Sequence, residues 1–253
     1  MHKKIAVIGT MGLPAKYGGF ETLVEHLTKE LHQDFDITVY CSAKSYSEKL
    51  VTFNNCKLHY INMEANGMQS ILYDMRAIFH ALKYADVLLI LGVSGCITLP
   101  FIKLFSRKKI IVNIDGLEWK RQKWNRFAKW FLKLSERFAV KAADAVIGDN
   151  KVIVDYVKHQ YNKNANLIAY GGDHTNNEFS TKELQSTYPF LSKAYAFKVC
   201  RIEPENNVHL ILEAFSEYPL LNIVLVGNWK NSAYGKQLKS QFDSFENIYL
   251  LEP

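Results

Sequence analysis

Short apolar runs alternate with longer amphipathic stretches along most of the chain, a pattern that predicts an α/β fold: a parallel sheet with helices on both faces. The strand-like runs are Ile5 to Ile8, Asp36 to Cys41, Leu58 to Ile61, Asp86 to Leu91, Lys109 to Ile114, Ala145 to Gly148 and Asn166 to Ala169. Helical periodicity fills the intervals at Glu21 to Leu31, Met68 to Tyr84, Leu99 to Phe105, Lys123 to Lys141 and Lys151 to Tyr161. These make a doubly wound lobe over residues 1–170. The pattern then fails through Gly171-Gly172-Asp173-His174-Thr175-Asn176-Asn177 and Pro189, so residues 171–193 read as a linker. Alternation resumes over residues 194–253, with strands at Tyr195 to Cys200, Asn222 to Val226 and Ile248 to Leu251 and helices at Val208 to Tyr218 and Ala233 to Phe242. Such a short sheet leaves an edge that proteins normally cover, so this second lobe reads as incomplete.

Composition narrows the class without choosing a function. The 253 residues suffice for two lobes, and 48% hydrophobic with 22% charged residues is the balance of an ordinary globular protein. A net charge of +6 points to anionic partners, among them nucleotides, phospholipids and nucleic acid. Cys41, Cys56, Cys96 and Cys200 are scattered singly, which suggests neither a zinc site nor a disulfide framework and makes a reducing cytosol the simpler setting. Met1-His2-Lys3-Lys4 runs straight into a strand, without the features of a signal peptide. The longest apolar stretch, Val87 to Pro100, is interrupted by Gly92, Ser94 and Gly95 and falls short of the roughly 20 residues that span a bilayer. Membrane contact, if made, is expected to be peripheral.

Ligands of doubly wound sheets bind at the carboxyl ends of the strands, so the loops there are the places to look. The first is Gly9-Thr10-Met11-Gly12-Leu13-Pro14-Ala15-Lys16-Tyr17-Gly18-Gly19-Phe20-Glu21, which joins the strand ending at Ile8 to a helix whose apolar stripe is Leu23, Val24, Leu27 and Leu31. A glycine pair before a helix N-terminus suits a phosphate or a sugar hydroxyl, although such pairs also mark plain turns. The second, Gly92-Val93-Ser94-Gly95-Cys96, is built of small residues that let a ligand approach the backbone. The third, Asp115-Gly116-Leu117-Glu118-Trp119-Lys120-Arg121, gathers two carboxylates, an indole and two cations. It reads either as a sugar site, with Asp115 and Glu118 accepting hydroxyl hydrogen bonds and Trp119 offering a flat face, or as an acidic helix start.

The helix from Trp119 to Lys141 is unusually basic. Its cations are Lys120, Arg121, Lys123, Arg126, Lys129, Lys133, Arg137 and Lys141 against Glu136 alone. Phe127, Phe131, Leu134 and Phe138 recur at helical spacing and are expected to face the core, leaving Trp124, Trp130 and the cations outside. That face is either solvated or laid against anionic lipid, with Lys120, Arg121, Lys123, Trp124, Arg126 and Trp130 in contact. Nucleic acid ranks last because no recognition motif accompanies the charge. Arg201, closing the first strand of the second lobe before Ile202-Glu203-Pro204-Glu205-Asn206-Asn207, is placed to clamp a diphosphate. GxGxxG, GxxxxGK[ST], GxSxG and HExxH do not occur, which disfavours dinucleotide oxidoreductase, P-loop nucleotidase, serine hydrolase and zinc protease readings.

Taken in order, the segments Ala15 to Thr22, Asp115 to Arg121 and Arg201 to Asn207 resemble a bacterial branch of the family-4 glycosyltransferases of GT-B fold, the branch of rhamnosyltransferases in capsule and O-antigen assembly. The resemblance implies two Rossmann-like domains and transfer, with retention of configuration, of rhamnose or a related hexose from a nucleotide-diphosphate sugar to a lipid-linked saccharide. It implies neither metal nor cofactor, and a cytoplasmic enzyme held peripherally on the inner face of the membrane. It assigns catalytic roles to Asp115 and Arg201, substrate contacts to Gly18, Gly19, Glu21, Ser94, Gly95, Glu118 and Trp119, and the diphosphate to Gly18, Gly19 and Arg201. Two departures stand out. Relatives carry a lysine shortly after the arginine where this chain has Asn206 and Asn207, and the donor-binding pair of glutamates eight positions apart in a late helix is not met before Pro253. Glu205 and Glu213 have that spacing but flank the wrong helix. The polypeptide as written is therefore expected to show little or no transferase activity. An alternative is a non-catalytic, membrane-docking acceptor subunit of a two-chain transferase. Nothing in the chain indicates an oligomeric state.

Overall fold

Ala6, Val7 and Ile8 are buried because their strand, Lys3–Ile8 (β1), lies in the middle of an eight-stranded sheet. A computed structural model of the chain describes residues 2–16, 18–114, 116–121, 124–172 and 181–253. It divides into two compact units, Met1–Gly171 and Gly172–Pro253.

In the first unit the elements after β1 are Gly19–Leu31 (α1), Phe35–Ser42 (β2), Thr52–Phe53 (β3), Cys56–Ile61 (β4), Gln69–Ala81 (α2), Val87–Leu91 (β5), Leu99–Phe105 (α3), Lys109–Ile114 (β6), Arg126–Ala142 (α4), Ala145–Gly148 (β7), Lys151–Tyr161 (α5) and Asn166–Leu167 (β8). The strand order is β3-β4-β2-β1-β5-β6-β7-β8, parallel throughout except for β3 against β4. That antiparallel pair escapes the apolar pattern. Its turn is Asn54-Asn55, both at positive φ (47° and 58°), a two-residue hairpin loop of the kind asparagine favours.

The order runs outward from β1 through β2 to β4 and reverses at the crossing from β4 to β5, and right-handed crossovers then put α1 on one face and α2 to α5 on the other. The cores agree. Val24 of α1 packs with Val7, Val39 and Leu58, whereas Tyr73, Leu99, Ala139 and Val157 from α2 to α5 share a second cluster with Ile8, Ile90 and Val112.

Two helical registers differ from expectation. In α1 the buried positions are Glu21, Val24 and Thr28, with Leu23, Leu27 and Leu31 half-buried beside them. Glu21 turns inward because its carboxylate accepts a loop N–H there. In α4 the buried face is Ala128, Leu132, Ser135, Glu136, Ala139 and Val140, while Phe127 is 68% exposed. Small residues let this helix approach the sheet and the short 3-10 turn at Cys96–Thr98, and the Ser135 hydroxyl donates to Val93 O at 2.5 Å. A row of phenylalanines there would hold it off. Trp119, Lys120 and Arg121 precede α4, in and after a 3-10 turn at Glu118–Lys120.

The second unit contains Thr181–Thr187 (α6), a 3-10 turn at Pro189–Ser192, Tyr195–Val199 (β9), Val208–Ser216 (α7), Asn222–Val226 (β10), Ala233–Phe242 (α8) and Ile248–Leu251 (β11). The helix α6 falls within the stretch that reads as a linker. Its composition, Thr-Lys-Glu-Leu-Gln-Ser-Thr, carries too few apolar residues for a periodic signal. The three strands are parallel in the order β11-β10-β9 around Val208, Leu212, Leu225, Trp229 and Phe242. Asn247 Nδ2 donates to the carbonyls of Phe215 (2.9 Å) and Leu221 (2.9 Å), joining the end of α7 to the turn before β10.

Candidate functional site

The loop between β1 and α1 is held by carboxylates of its own helix. Glu21 Oε1 accepts from Met11 N at 2.7 Å and Glu25 Oε2 from Ala15 N at 2.7 Å. The Tyr46 hydroxyl donates to Pro14 O at 2.8 Å and the Tyr73 hydroxyl to Thr10 O at 3.0 Å. Burial pushes the Glu21 carboxyl above the usual carboxylate range, opposed by the Met11 N–H and by its own N–H. The two glycines have different reasons to be there. At Gly18 the backbone takes φ 128°, a conformation side chains rarely adopt, and a Cβ would also stand 2.0 Å from Glu21 Oε2, so glycine is required there by the backbone first. At Gly19 a Cβ would meet nothing within 4 Å, and the start of α1 is sterically open there.

The loop after β5 meets the first loop. A Cβ on Gly9 would lie 2.0 Å from Leu91 O, and one on Gly92 would reach 3.8 Å from the ring of Phe20. Gly95 is small for a reason other than a ligand. A Cβ there would lie 2.6 Å from Asp74 Cβ and 2.9 Å from Met75 N, so α2 itself makes the close approach. Asp74 is buried, and its carboxylate accepts the Gly95 N–H. Ser94, beside Gly95, is half-exposed. Gly95→Ala is expected to force α2 outward and lower stability by about 1–3 kcal/mol. Thermal unfolding checks this, and an unchanged midpoint would contradict the packing.

At the end of β6, Asn113 is buried and its Oδ1 has no hydrogen-bond partner among the described residues. Asp115 lies outside the described residues, as do Tyr17 and Lys123. The rest of the third loop is locked by side chains. Trp124 Nε1 donates to Glu118 Oε1 at 2.9 Å, and Arg121 pairs with Glu118 Oε2 at 3.3 Å. Trp119 Nε1 donates to Glu136 Oε2 at 3.0 Å, and Lys133 Nζ sits 4.4 Å from the Trp119 ring centroid. The indole expected to lie open to a sugar thus carries a cation, and its polar edge is tied to α4. Lys120 Nζ approaches the same ring at 5.5 Å.

Glu136 is the residue that the sequence hides. The sole acid on a basic helix reads as solvated, yet it is 0% exposed. Its Oε1 accepts from Tyr156 at 2.5 Å, from Lys133 at 3.2 Å and from Tyr161. Burial, then the hydrogen bond to Glu136, raises both tyrosines above their ordinary value, so they stay protonated donors at neutral pH. Proximity in sequence gives no hint of this cluster, because α5 supplies two of its members.

Of the residues expected at a membrane, Arg121 and Trp124 are engaged by Glu118, while Lys120, Arg126 and Trp130 are exposed. Beside the third loop, an apolar groove of about 210 Å³ is lined by Met68 and Ile71 near the start of α2 and by Trp124, Phe127, Phe131 and Leu132. No helix among the described residues is long and apolar enough to cross a membrane.

In the second unit, Arg201 is exposed at the carboxyl end of β9. Its carbonyl accepts from Asn206 Nδ2 at 2.6 Å and Glu203 N at 3.0 Å, which curls the segment into a 3-10 turn at Pro204–Asn206. Asn207 then takes the left-handed conformation (φ 53°) that starts α7. The two asparagines therefore shape the backbone, as a lysine would not.

Residues 2–173 match the family described as a domain of unknown function, DUF1972. No curated protein sequence matches the chain. Among solved structures, sucrose-phosphate synthase from Thermosynechococcus elongatus is similar with a TM-score of 0.77 at 13% identity, over 99% of this chain and 70% of that one. HepE from Anabaena in complex with UDP-glucose gives 0.70 at 13% identity, over 100% and 69%. A UDP-N-acetylglucosamine 2-epimerase from Rickettsia bellii gives 0.54 at 16% identity, over 99% and 68%. At these identities the likeness is one of fold, and the fold is GT-B-like.

Proposed function

We propose that this chain, which belongs to the DUF1972 family, is the acceptor-side domain and the beginning of the donor-side domain of a glycosyltransferase that uses a nucleotide-diphosphate sugar. The observation that carries the reading is the convergence, at one edge of the first sheet, of the open start of α1 at Gly19, the Gly92–Gly95 loop and the braced Glu118 loop, in a fold that holds UDP-glucose in HepE. An epimerase reading shares the fold but matches at the lower score.

In this reading Gly18, Gly19 and Arg201 serve the donor diphosphate. As the bond from the sugar's anomeric carbon to the diphosphate breaks and the acceptor hydroxyl oxygen bonds that carbon, negative charge grows on the leaving group, which a guanidinium stabilises and which takes up the hydroxyl proton. Asp115 and Glu118, with Ser94 and Gly95, contact the sugar or the acceptor. Rhamnose or a related hexose is the transferred group, without a metal or cofactor, and a lipid-linked saccharide of surface polysaccharide synthesis is the acceptor. The apolar groove between α2 and α4 suits the chain of such a lipid. The site would work on the cytoplasmic face of the membrane.

Saturation-transfer NMR of the full-length gene product with uridine-, guanosine- and thymidine-diphosphate sugars tests the reading. Signal transfer to at least one sugar nucleotide is expected, lost in Arg201→Ala together with turnover by about 100-fold or more. Contact with none of them would sink it.

A further inference from the structure

A second groove lies away from the loops at the carboxyl edge of the first sheet. It has a volume of about 560 Å³ and runs between α4 and the end of α5, lined by Trp130, Lys133, Arg137 and Lys141 on one side and His159 and Tyr161 on the other. It runs along α4 from Trp130 to Lys141 and reaches the end of α5 at Tyr161, on the face of the sheet that α2 to α5 cover.

Its charge is one-sided. Arg126, Lys129, Lys133, Arg137 and Lys141 all lie on α4, and the one acid of that helix, Glu136, is turned completely into the core. The acid of α5, Asp155, pairs with Lys151 one turn away, at 3.1 Å. Glu136 offsets Lys133, which it meets at 3.2 Å from below, but among the described residues no acidic side chain lines the groove opposite Arg137 and Lys141, so the outer part of its field stays positive. At 3.6 residues per turn, Trp130, Leu134, Arg137 and Lys141 form one stripe along the outer side of α4, with Arg126 and Phe127 at its amino end. Trp130 is 61% exposed, and its ring contacts Phe127 with centroids 5.9 Å apart. The neighbouring helix α3 also presents apolar side chains to the outside: Phe101, Leu104 and Phe105, the last 89% exposed.

We infer that this groove receives the phosphate-bearing headgroups of anionic membrane lipid, and that α4 lies in the plane of the interface with Phe127 and Trp130 at headgroup depth. The inference deepens the membrane part of the reading above and moves the contact from the Lys120–Arg126 segment to the outer face of α4 and the end of α5. Cations together with exposed aromatic and aliphatic side chains suit a bilayer, where the apolar groups enter the acyl boundary while Lys and Arg meet phosphate. A nucleic acid would use the same cations but leave Phe101, Leu104 and Phe105 without a role.

Co-sedimentation of the full-length gene product with vesicles decides the matter. Vesicles containing about one-third phosphatidylglycerol in phosphatidylcholine are expected to bind it, and phosphatidylcholine alone to bind it at least ten-fold more weakly. The double variant Arg137→Glu/Lys141→Glu, both positions being exposed, is expected to lose at least ten-fold in partitioning with its thermal midpoint unchanged. Lys29→Glu, on α1 across the sheet, makes a smaller change in net charge elsewhere and should lose less than two-fold. Equal binding to neutral vesicles, no vesicle binding, or an equal loss in Lys29→Glu would each overturn the inference. So would tighter binding to single-stranded RNA than to vesicles that the double variant abolishes. Donor contacts by NMR should survive in the double variant. Vesicle binding without any sugar-nucleotide contact would uphold the groove and sink the transferase reading, and the reverse result would do the opposite.

Discussion

Glu136→Ala is expected to destabilise the first unit by about 3–5 kcal/mol, the range for removing one partner from a buried charged network. The substitution leaves the Trp119 indole N–H, the Tyr156 and Tyr161 hydroxyls and the Lys133 ammonium without their shared acceptor. These donors cannot all turn to water, because Tyr156 and Tyr161 are themselves packed against the core. The loop from Gly116 to Arg121 should loosen as well, since this carboxylate accepts the Trp119 indole N–H and also holds Lys133, whose ammonium sits over the same ring. Glu136→Gln should fall between the two proteins. It keeps one acceptor oxygen but presents an NH2 where a donor already points, and it leaves Lys133 unbalanced. Urea titration followed by tryptophan emission measures the energy and the release of Trp119 together. A loss under about 1 kcal/mol would show that the network contributes little.

Asp74→Asn should act in the opposite direction, and its effect should depend on pH. Burial pushes the Asp74 carboxyl up to about 8, with the Gly95 N–H as the opposing pull. A carboxyl raised in the folded state binds its proton more tightly there than in the unfolded chain, whose value is about 4. Between about pH 4 and 8 the native state therefore holds more protons, and stability falls as pH rises through that window. Asparagine carries no charge at any pH and can still accept from Gly95. The variant is expected to match the parent closely near pH 4 to 5 and to exceed it by a few kcal/mol, on the order of 2–4, at pH 8. Melting curves from pH 5 to 8.5 would show a flatter profile for Asp74→Asn, and parallel profiles would mean that Asp74 is not the group responsible. The same experiment reports on the loop after β5, because Asp74 is what Gly95 packs against.

Much of this architecture was legible because short runs of Val, Ile and Leu between amphipathic stretches have one stable arrangement, a parallel sheet with helical crossovers. The apolar runs at Val87–Leu91 and Lys109–Ile114 became neighbouring strands at the heart of the sheet. The strand β4 was legible from Leu58 to Ile61, but β3 and its hairpin were missed, although Asn54-Asn55 carried the signal, because two residues are too few for alternation to show. On α4 the aromatic positions suggested the wrong inner face. Helix orientation there follows from where backbones must come close, so Ala128, Ser135 and Ala139 decide it together with buried Leu132 and Val140, while Phe131, Leu134 and Phe138 are only half-buried and Phe127 is exposed.

The candidate site divides in the same way. Its location at the carboxyl ends of β1, β5 and β6 followed from topology, and the glycine pair, the small-residue loop and the Glu118 segment all lie there. Individual roles did not follow. Gly18 is glycine because the loop backbone takes φ 128° beside Glu21, Gly95 because of α2, and Trp119 is held by Glu136 and Lys133. A linear pattern reports which residues recur within one element, whereas hydrogen-bond partners and close approaches come from elements far apart in sequence.

By itself, then, the sequence determined the alternation of strands and helices, the basic character of α4 and which strand ends carry the glycine pair, the small-residue loop and the Glu118 segment, since each depends on local periodicity or on composition. Only the tertiary structure decided which charges face water. Turning Glu136 inward offsets Lys133 alone, leaves Arg137 and Lys141 on the outer face of α4, and braces the loop after β6, because burying a carboxylate requires donors from three separate segments to meet at one point.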